Sequence, residues 1–175
     1  MHRPVKRITP YLMALLASRI GSISIQMNSI MVKSARSSLM ALARDCSTPI
    51  CDGHGDVSTF PPGFPVHVGE TSLAGHSLLD LNGDRLRSSD AYLNNSSYHR
   101  ITHVADHTIL VPVFYENELL FICVRRGHQA DVGNSIPTTY YAKARDVYGR
   151  EPLFFRVLKL KKDTKTLRIS SGCVG

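Results

Sequence analysis

The sequence predicts an α+β domain in which a long N-terminal helix packs on a mixed sheet built around a central β-hairpin. Three observations predict it. Apolar residues recur at three- and four-residue steps from Pro10 to about Ala43. Two runs rich in β-branched and apolar residues flank the turn Glu116-Asn117-Glu118. The chain of 175 residues is long enough to bury a core and short enough for one domain.

In the helix, Leu12, Leu15, Leu16, Ile20, Ile23 and Met27 form the apolar stripe, and Met31, Ala35, Leu39 and Leu42 continue it. Thr9-Pro10 starts it, with proline in the first turn. Gly21 and the serines weaken its middle, so one long helix or two shorter ones fit. Cys46 to Ile50 reads as a short strand and Asp52-Gly53-His54-Gly55 as a turn. FPPGFPVHVGE reads as a rigid loop with a short strand, Val66 and Val68 flanking His67. His67 is either a site residue or, more readily, a satisfied structural histidine. SLAGHSLLDLNGDRL is a short helix or turn segment. Ala91 to Leu93 is a strand leading into a polar loop, NNSSYHRITH, long enough to wrap a ligand. Thr108–Phe114 and Leu119–Val124 are the hairpin strands. Pro112 marks an edge or a bulge. GHQADVGNSIPTTYY is a loop, and RVLKLKK is a further strand.

The formal net charge is +7. FRVLKLKKDTKTLRIS carries Arg156, Lys159, Lys161, Lys162, Lys165 and Arg168 against Asp163, which is +5 of that total. A solvated flank, or a segment continuing into a partner, explains such a stretch better than nucleic-acid contact. Cys46, Cys51, Cys123 and Cys173 contain no C-x-x-C and fit no structural zinc module. Reduced thiols in a cytoplasmic protein are the expectation. The apolar run YLMALLA is too short to span a bilayer. A targeting segment and an amphipathic helix both explain the N-terminus. No Walker A, G-x-G-x-x-G or G-x-S-x-G motif occurs.

The chemistry gathers at the hairpin ends. H-x-x-D occurs twice, as His103 with Asp106 before the first strand and as His128 with Asp131 after the second. A hairpin returns its outer ends close together, so the four side chains have a route to one site. Two imidazoles and two carboxylates suit a divalent ion such as zinc, manganese or iron. The competing reading is that these are hydrogen-bonded loop histidines with turn-capping aspartates. His107 would face away from Asp106 if both lie in a strand. His99, Arg125, Arg126, Asn134 and Thr138 are candidates for substrate contact. Gly127 and Gly133 bracket the second pair. Cys46 and Cys123 lack an identifiable base, and burial suits Cys123 better than nucleophilic work.

Several stretches resemble the hydantoinase B/oxoprolinase family, which also takes in the large subunits of acetone and acetophenone carboxylases. ARDCSTPI is similar to the family's RDFS segment and FPVHVG to its IPVHLG segment. HVADHTILVPVFYENELLFICV with GHQADVGNSIPTTY is similar to its most characteristic block, and AKARDVYGREPLFF to the segment that follows. The resemblance implies that residues 1–163 are the N-terminal part of a larger family domain, with 164–175 a basic, irregular tail. It implies that His103, Asp106 and His128 hold the metal and that Asp131, a marked family aspartate, is catalytic with them, either as a ligand or just beyond the ligands. It implies ATP-dependent hydrolysis of a small cyclic amide of hydantoin or 5-oxoproline type. ATP would sit on a hydantoinase A-type partner subunit, with neither nucleic acid nor membrane involved. A ketone-carboxylase relative and a catalytically inactive fragment acting as a binding module are the alternatives.

The chain departs from the family's NDPYxGGTH-type stretch, which here is NSSYHRITH. Ser96 stands for the aspartate, Ser97 for the proline and Arg100 for a glycine. A lost carboxylate and an added cation change the electrostatics of a metal loop.

Overall fold

The computed structural model describes residues 8–62, 66–133, 136, 138, 139, 141–146 and 153–160. Asn134, the 161–175 tail and Cys173 lie outside the described residues. The chain is α+β, with a long helix against a sheet that has the hairpin at its centre. The helices are α1 (Pro10–Ser34), α2 (Ser38–Ala41) and α3 (His67–Asn82). The strands are β1 (Cys46–Ser47), β2 (Ile50–Asp52), β3 (Val57–Thr59), β4 (Ala91–Asn94), β5 (Asp106–Tyr115), β6 (Glu118–His128) and β7 (Leu158–Leu160). The sheet order is β3-β2-β6-β5-β4-β7, with β1 also paired to β6. A mixed sheet is the sequence expectation; each pairing among the described residues is antiparallel.

The stripe from Pro10 onward forms a helix because its start is capped and its interior lacks proline. Thr9 Oγ1 accepts from Leu12 N at 3.3 Å, and Pro10 fills the first turn, where no intrahelical donor is needed. The stripe breaks at Ala35, in extended conformation, giving the two-helix version of the expectation. The hairpin turns at Glu116 and Asn117, both in the left-handed region (φ +47° and +68°), the geometry of a tight primed turn. Pro112 lies beyond the end of β4's pairing and just before a register shift at Val113/Phe114. Its missing N–H therefore interrupts no ladder bond to β4.

One region departs from the sequence reading. Residues 67–82 are a single helix, where Val66–Val68 reads as strand and SLAGHSLLDLNGDRL as a short segment. Val68 and Leu73 lie outward and Ala74 and Leu78 inward, so the pattern is helical once it is counted from His67. Glu70 in the first turn is the helix signal in this stretch.

α3 covers one face of the hairpin. Ala74 and Leu78 pack with Cys51, Tyr92, Leu110, Ile122 and Val124, all essentially buried. The close approach depends on glycine: a Cβ on Gly75 would come 2.7 Å from the carbonyl oxygen of Gly55, itself at φ +94°. The opposite face of the hairpin meets α1 and α2 at Gly127, where a Cβ would strike Met40 Sδ at 2.7 Å and Met31 Cε at 2.8 Å. No helix among the described residues is long and apolar enough to cross a membrane.

Candidate metal centre

Strand alternation builds the site. On the α3 face of the hairpin the direct cross-strand pairs run Pro112–Ile122, Leu110–Val124, Thr108–Arg126 and Asp106–His128. The first two rungs are core. The third is a buried polar rung: Arg126 donates from Nε to Thr108 Oγ1 at 3.1 Å and from Nη1 to Glu70 Oε2. The fourth is the candidate site. α3 follows the same sequence of rungs, since His67 and Glu70 are three residues apart on one helical face. Its first turn delivers Glu70 to Arg126 and His67 to Asp106.

Asp106 is the hub. Its Oδ1 lies 3.2 Å from His128 Nδ1, and its Oδ2 lies 3.4 Å from His103 Nε2 and 3.7 Å from His67 Nε2. One nitrogen from each of His103 and His128 and one oxygen of Asp106 lie within 4.8 Å of one another, close enough to share a cation. The His103 and His128 ring centroids are 5.1 Å apart. His128 Nε2 lies 2.9 Å from Thr139 Oγ1. With that nitrogen as donor, Nδ1 turns a lone pair toward Asp106, an arrangement that a cation between them satisfies. Asp106 and His128 are buried and His103 is half-buried.

Two further groups close the cluster. Asp45 brings a second carboxylate, 3.8 Å from His67 Nε2 and 3.9 Å from His128 Nδ1. It is placed there by β1, whose Cys46 and Ser47 pair with Gly127 and Arg126, and by the His128 N–H donating to the Asp45 carbonyl at 3.1 Å. His67 is buried and its Nδ1 lies 3.1 Å from Ser47 Oγ. Burial holds the His67 pKa below its ordinary value, and the Arg126 guanidinium adds to this while Asp106 and Asp45 pull the other way. Burial also lowers Arg126 to about 10.

His103, Asp106 and His128 thus converge, and Asp131 does not join them. Asp131 is exposed and its Oδ1 accepts from Gly133 N at 2.9 Å, closing a local turn. The reason is position relative to the strand: His128 is the last residue of β6, so a residue three further on has left the sheet. Arg126, a candidate for substrate contact, is fully buried against Glu70; Arg125 is exposed. His99 Nδ1 pairs with Ser96 Oγ at 2.9 Å. Thr138 donates its N–H to Ile136 O at 2.7 Å, and its neighbour Thr139 is the residue that reaches His128. His107 faces away from Asp106, edge-on to Phe155. Burial raises the thiol pKa of Cys46 and Cys123 and pushes Cys51 to about 12, which disfavours thiolate chemistry.

The polar loop after β4 is bound up in structure. Asn95 Nδ2 donates to Val104 O at 2.9 Å and to Leu153 O at 2.8 Å, anchoring the segment that carries His103. Arg100, which the resemblance sets at a glycine position, adopts a glycine-like left-handed conformation (φ +67°) and pairs with Asp80 at 3.0 Å. The loop therefore keeps a glycine backbone while carrying an arginine.

Asp45 is the residue that pattern reading did not single out. Its only signal is the ARDCSTPI stretch, because nothing in the spacing of a two-residue strand foretells a pairing some 80 positions away.

Comparison with known proteins shows the family and the fold. The hydantoinase B/oxoprolinase family matches residues 9–169. The subunit beta of caprolactamase from Pseudomonas jessenii is 27% identical over 141 residues, covering 81% of this chain and 24% of that one. The 5-oxoprolinase of Dictyostelium discoideum is 25% identical over 156 residues, covering 89% of this chain and 12% of that one. Among solved structures, the ATP-dependent caprolactamase of Pseudomonas jessenii superposes with a TM-score of 0.78 at 26% identity, over 89% of this chain and 27% of that one. Nucleotide-free acetone carboxylase superposes with a TM-score of 0.81 at 22% identity, over 91% and 21%, a likeness of fold. The chain therefore spans about a quarter or less of the relatives it matches.

Proposed function

We propose a function from one premise: the chain belongs to the hydantoinase B/oxoprolinase family. On that premise it is the B-type, metal-holding part of an ATP-dependent hydrolase of a small cyclic amide, hydantoin or 5-oxoproline in type. ATP chemistry belongs to a hydantoinase A-type partner subunit. The observation that carries the reading is the convergence of His103 with the Asp106–His128 rung at the end of the hairpin.

The donor set fits the group. Two imidazoles and a carboxylate, with the Asp45 carboxylate beside them, suit zinc, manganese or iron. Bound there, such an ion supplies Lewis-acid polarisation of a carbonyl and a lowered pKa for water. The chain's own residues hold the arrangement. Thr139 fixes the ring orientation of His128, Asn95 anchors the segment carrying His103, and Ser47 orients His67. Asp131 acts outside the ligand set, shaping the loop that follows His128.

Two other readings have an observation behind them. A ketone-carboxylase relative has a likeness of fold, to acetone carboxylase, behind it and nothing finer. A catalytically silent binding module is supported by Ser96, Ser97 and Arg100 in the loop before His103.

Elemental analysis of the purified chain, alone and with His103→Ala plus His128→Ala, tests the metal. Stoichiometric metal lost in the double variant is expected; no metal after loading with zinc, manganese and iron in turn would sink the site. Mixing the metal-loaded chain with an A-type subunit, ATP and 5-oxoproline tests the reaction by following ring-opened glutamate. Metal without turnover on 5-oxoproline or hydantoin favours the silent module.

A further inference from the structure

The packing of α1 is inverted relative to an ordinary amphipathic helix. Among its residues Ser24 and Met31 are the buried ones, and Gly21 approaches Thr59. Ser24 Oγ donates to Thr48 O at 2.7 Å and Thr48 Oγ1 donates to Ser24 O at 2.9 Å, so a reciprocal polar pair helps hold the helix to the sheet side. Most of the other apolar residues of α1 lie elsewhere. Met13, Leu16, Ile20, Ile23, Met27 and Ile30 recur at alternating three- and four-residue steps, the spacing of a helix–helix seam. Ile20 and Met27 are half-buried, while Met13, Leu16, Ile23 and Ile30 expose between 45% and 67% of their surface. The seam runs about 27 Å along the helix. Singly scattered surface hydrophobes need no explanation, but a continuous, regularly spaced apolar strip does.

Charge narrows what covers it. From Met1 to Arg44 the chain contains no Asp or Glu. Arg19 and Lys33, each three residues beyond a seam position, flank the strip, and both are exposed. A second copy of α1 would bring the same cations and no acid to meet them. A helix flanked by carboxylates meets both the apolar strip and its charged border. The matched region is 24% of the caprolactamase subunit beta and 27% of the solved caprolactamase chain, so most of the family architecture lies outside it and has the length to supply such a helix.

We propose that the Met13–Ile30 seam of α1 is a docking surface for an α-helix that carries apolar residues at the same spacing with Asp or Glu at its flanks. The helix comes from the part of the family architecture that this chain does not span. The inference is independent of the metal-site reading.

The test uses the full chain and two synthetic helical peptides with identical Leu/Ile seams, one flanked by Glu and the other by Lys. Fluorescence anisotropy should show the Glu-flanked peptide binding at least about tenfold tighter than its twin, with the preference shrinking as salt rises. Leu16→Asp with Ile23→Asp should abolish binding while the far-UV circular dichroism melt stays unchanged, since both sites are exposed. Ile25→Asp should leave binding intact: Ile25 is exposed but off the seam, on a recess of about 550 Å³ shared with Pro61 and Pro62. Arg19→Glu with Lys33→Glu should reverse the peptide preference. Equal binding of both peptides, or equal loss from Ile25→Asp, overturns the proposal. So does a dimer of the chain alone, seen by light scattering and dissolved by Ile23→Asp. Flotation with anionic phosphatidylglycerol vesicles without peptide binding overturns it in favour of a membrane surface.

Discussion

The two H-x-x-D stretches have the same spacing and opposite fates. In the first, His103 stands three residues before the sheet and Asp106 is the first residue of β5, turned inward and 2% exposed. In the second, His128 is the last residue of β6 and Asp131 lies beyond it in solvent. Each stretch places one member on a strand, and those two members, Asp106 and His128, are the direct cross-strand pair. His103 reaches in from outside the sheet because the Asp106 N–H donates to the His103 carbonyl at 3.2 Å, turning the segment back onto the strand end. A spacing motif specifies separation along the chain; the hairpin register decides which side chains meet.

The contrast depends on the register holding, and Arg126 sits one same-face rung below. Arg126→Met would strand Glu70 as a buried, unpaired carboxylate. We expect it to lower stability by about 3–5 kcal/mol in urea unfolding, with most of the loss recovered in Arg126→Met plus Glu70→Leu. A loss under about 1 kcal/mol would show that the rung does not brace the site.

Asp106→Ala should lower zinc affinity by more than about a hundredfold in competition with a chromophoric chelator, whereas Asp131→Ala should leave it within about twofold. Comparable losses from both would erase the contrast between the two stretches. Asp45→Asn should fall between them, at about ten- to a hundredfold, because its carboxylate faces His128 and His67 from the residue just before β1. An unchanged affinity would remove Asp45 from the centre.

The smallest expected effect concerns pH. Burial holds His107 on the opposite face below its ordinary value of 6.5, as it does His67. A histidine with a lowered folded pKa is protonated first in the unfolded chain, so it favours unfolding as acid rises. The melting point of the metal-free chain should fall as pH drops below 6.5, and His107→Gln should flatten part of that fall. A melting point that rises toward pH 5.5 would contradict the assignment.

The hairpin was legible because strand periodicity and a two-residue turn are local signals, and with it came three of the cluster's residues. α3 is hidden in the sequence because Pro65 and the valines around His67 look like strand until the helix is counted through to Leu78. His67 was named only as a site residue or a structural one, and its place at Asp106 depends on where that helix begins. Asp45 carries no periodic signal, and Arg126 reads as a candidate for substrate contact because nothing local announces Glu70, 56 positions away.

By itself the sequence determined the α+β class, the helix at its start, the hairpin and the pair of histidines at the hairpin's ends. These follow from hydrophobic period and turn chemistry, which act over a few residues. Tertiary structure alone decided that Asp106 turns inward and Asp131 outward, that Asp45 and His67 join the cluster, and that the apolar seam of α1 faces out. Each of these is set by which strand or helix lies alongside which, a relation between segments far apart in the chain.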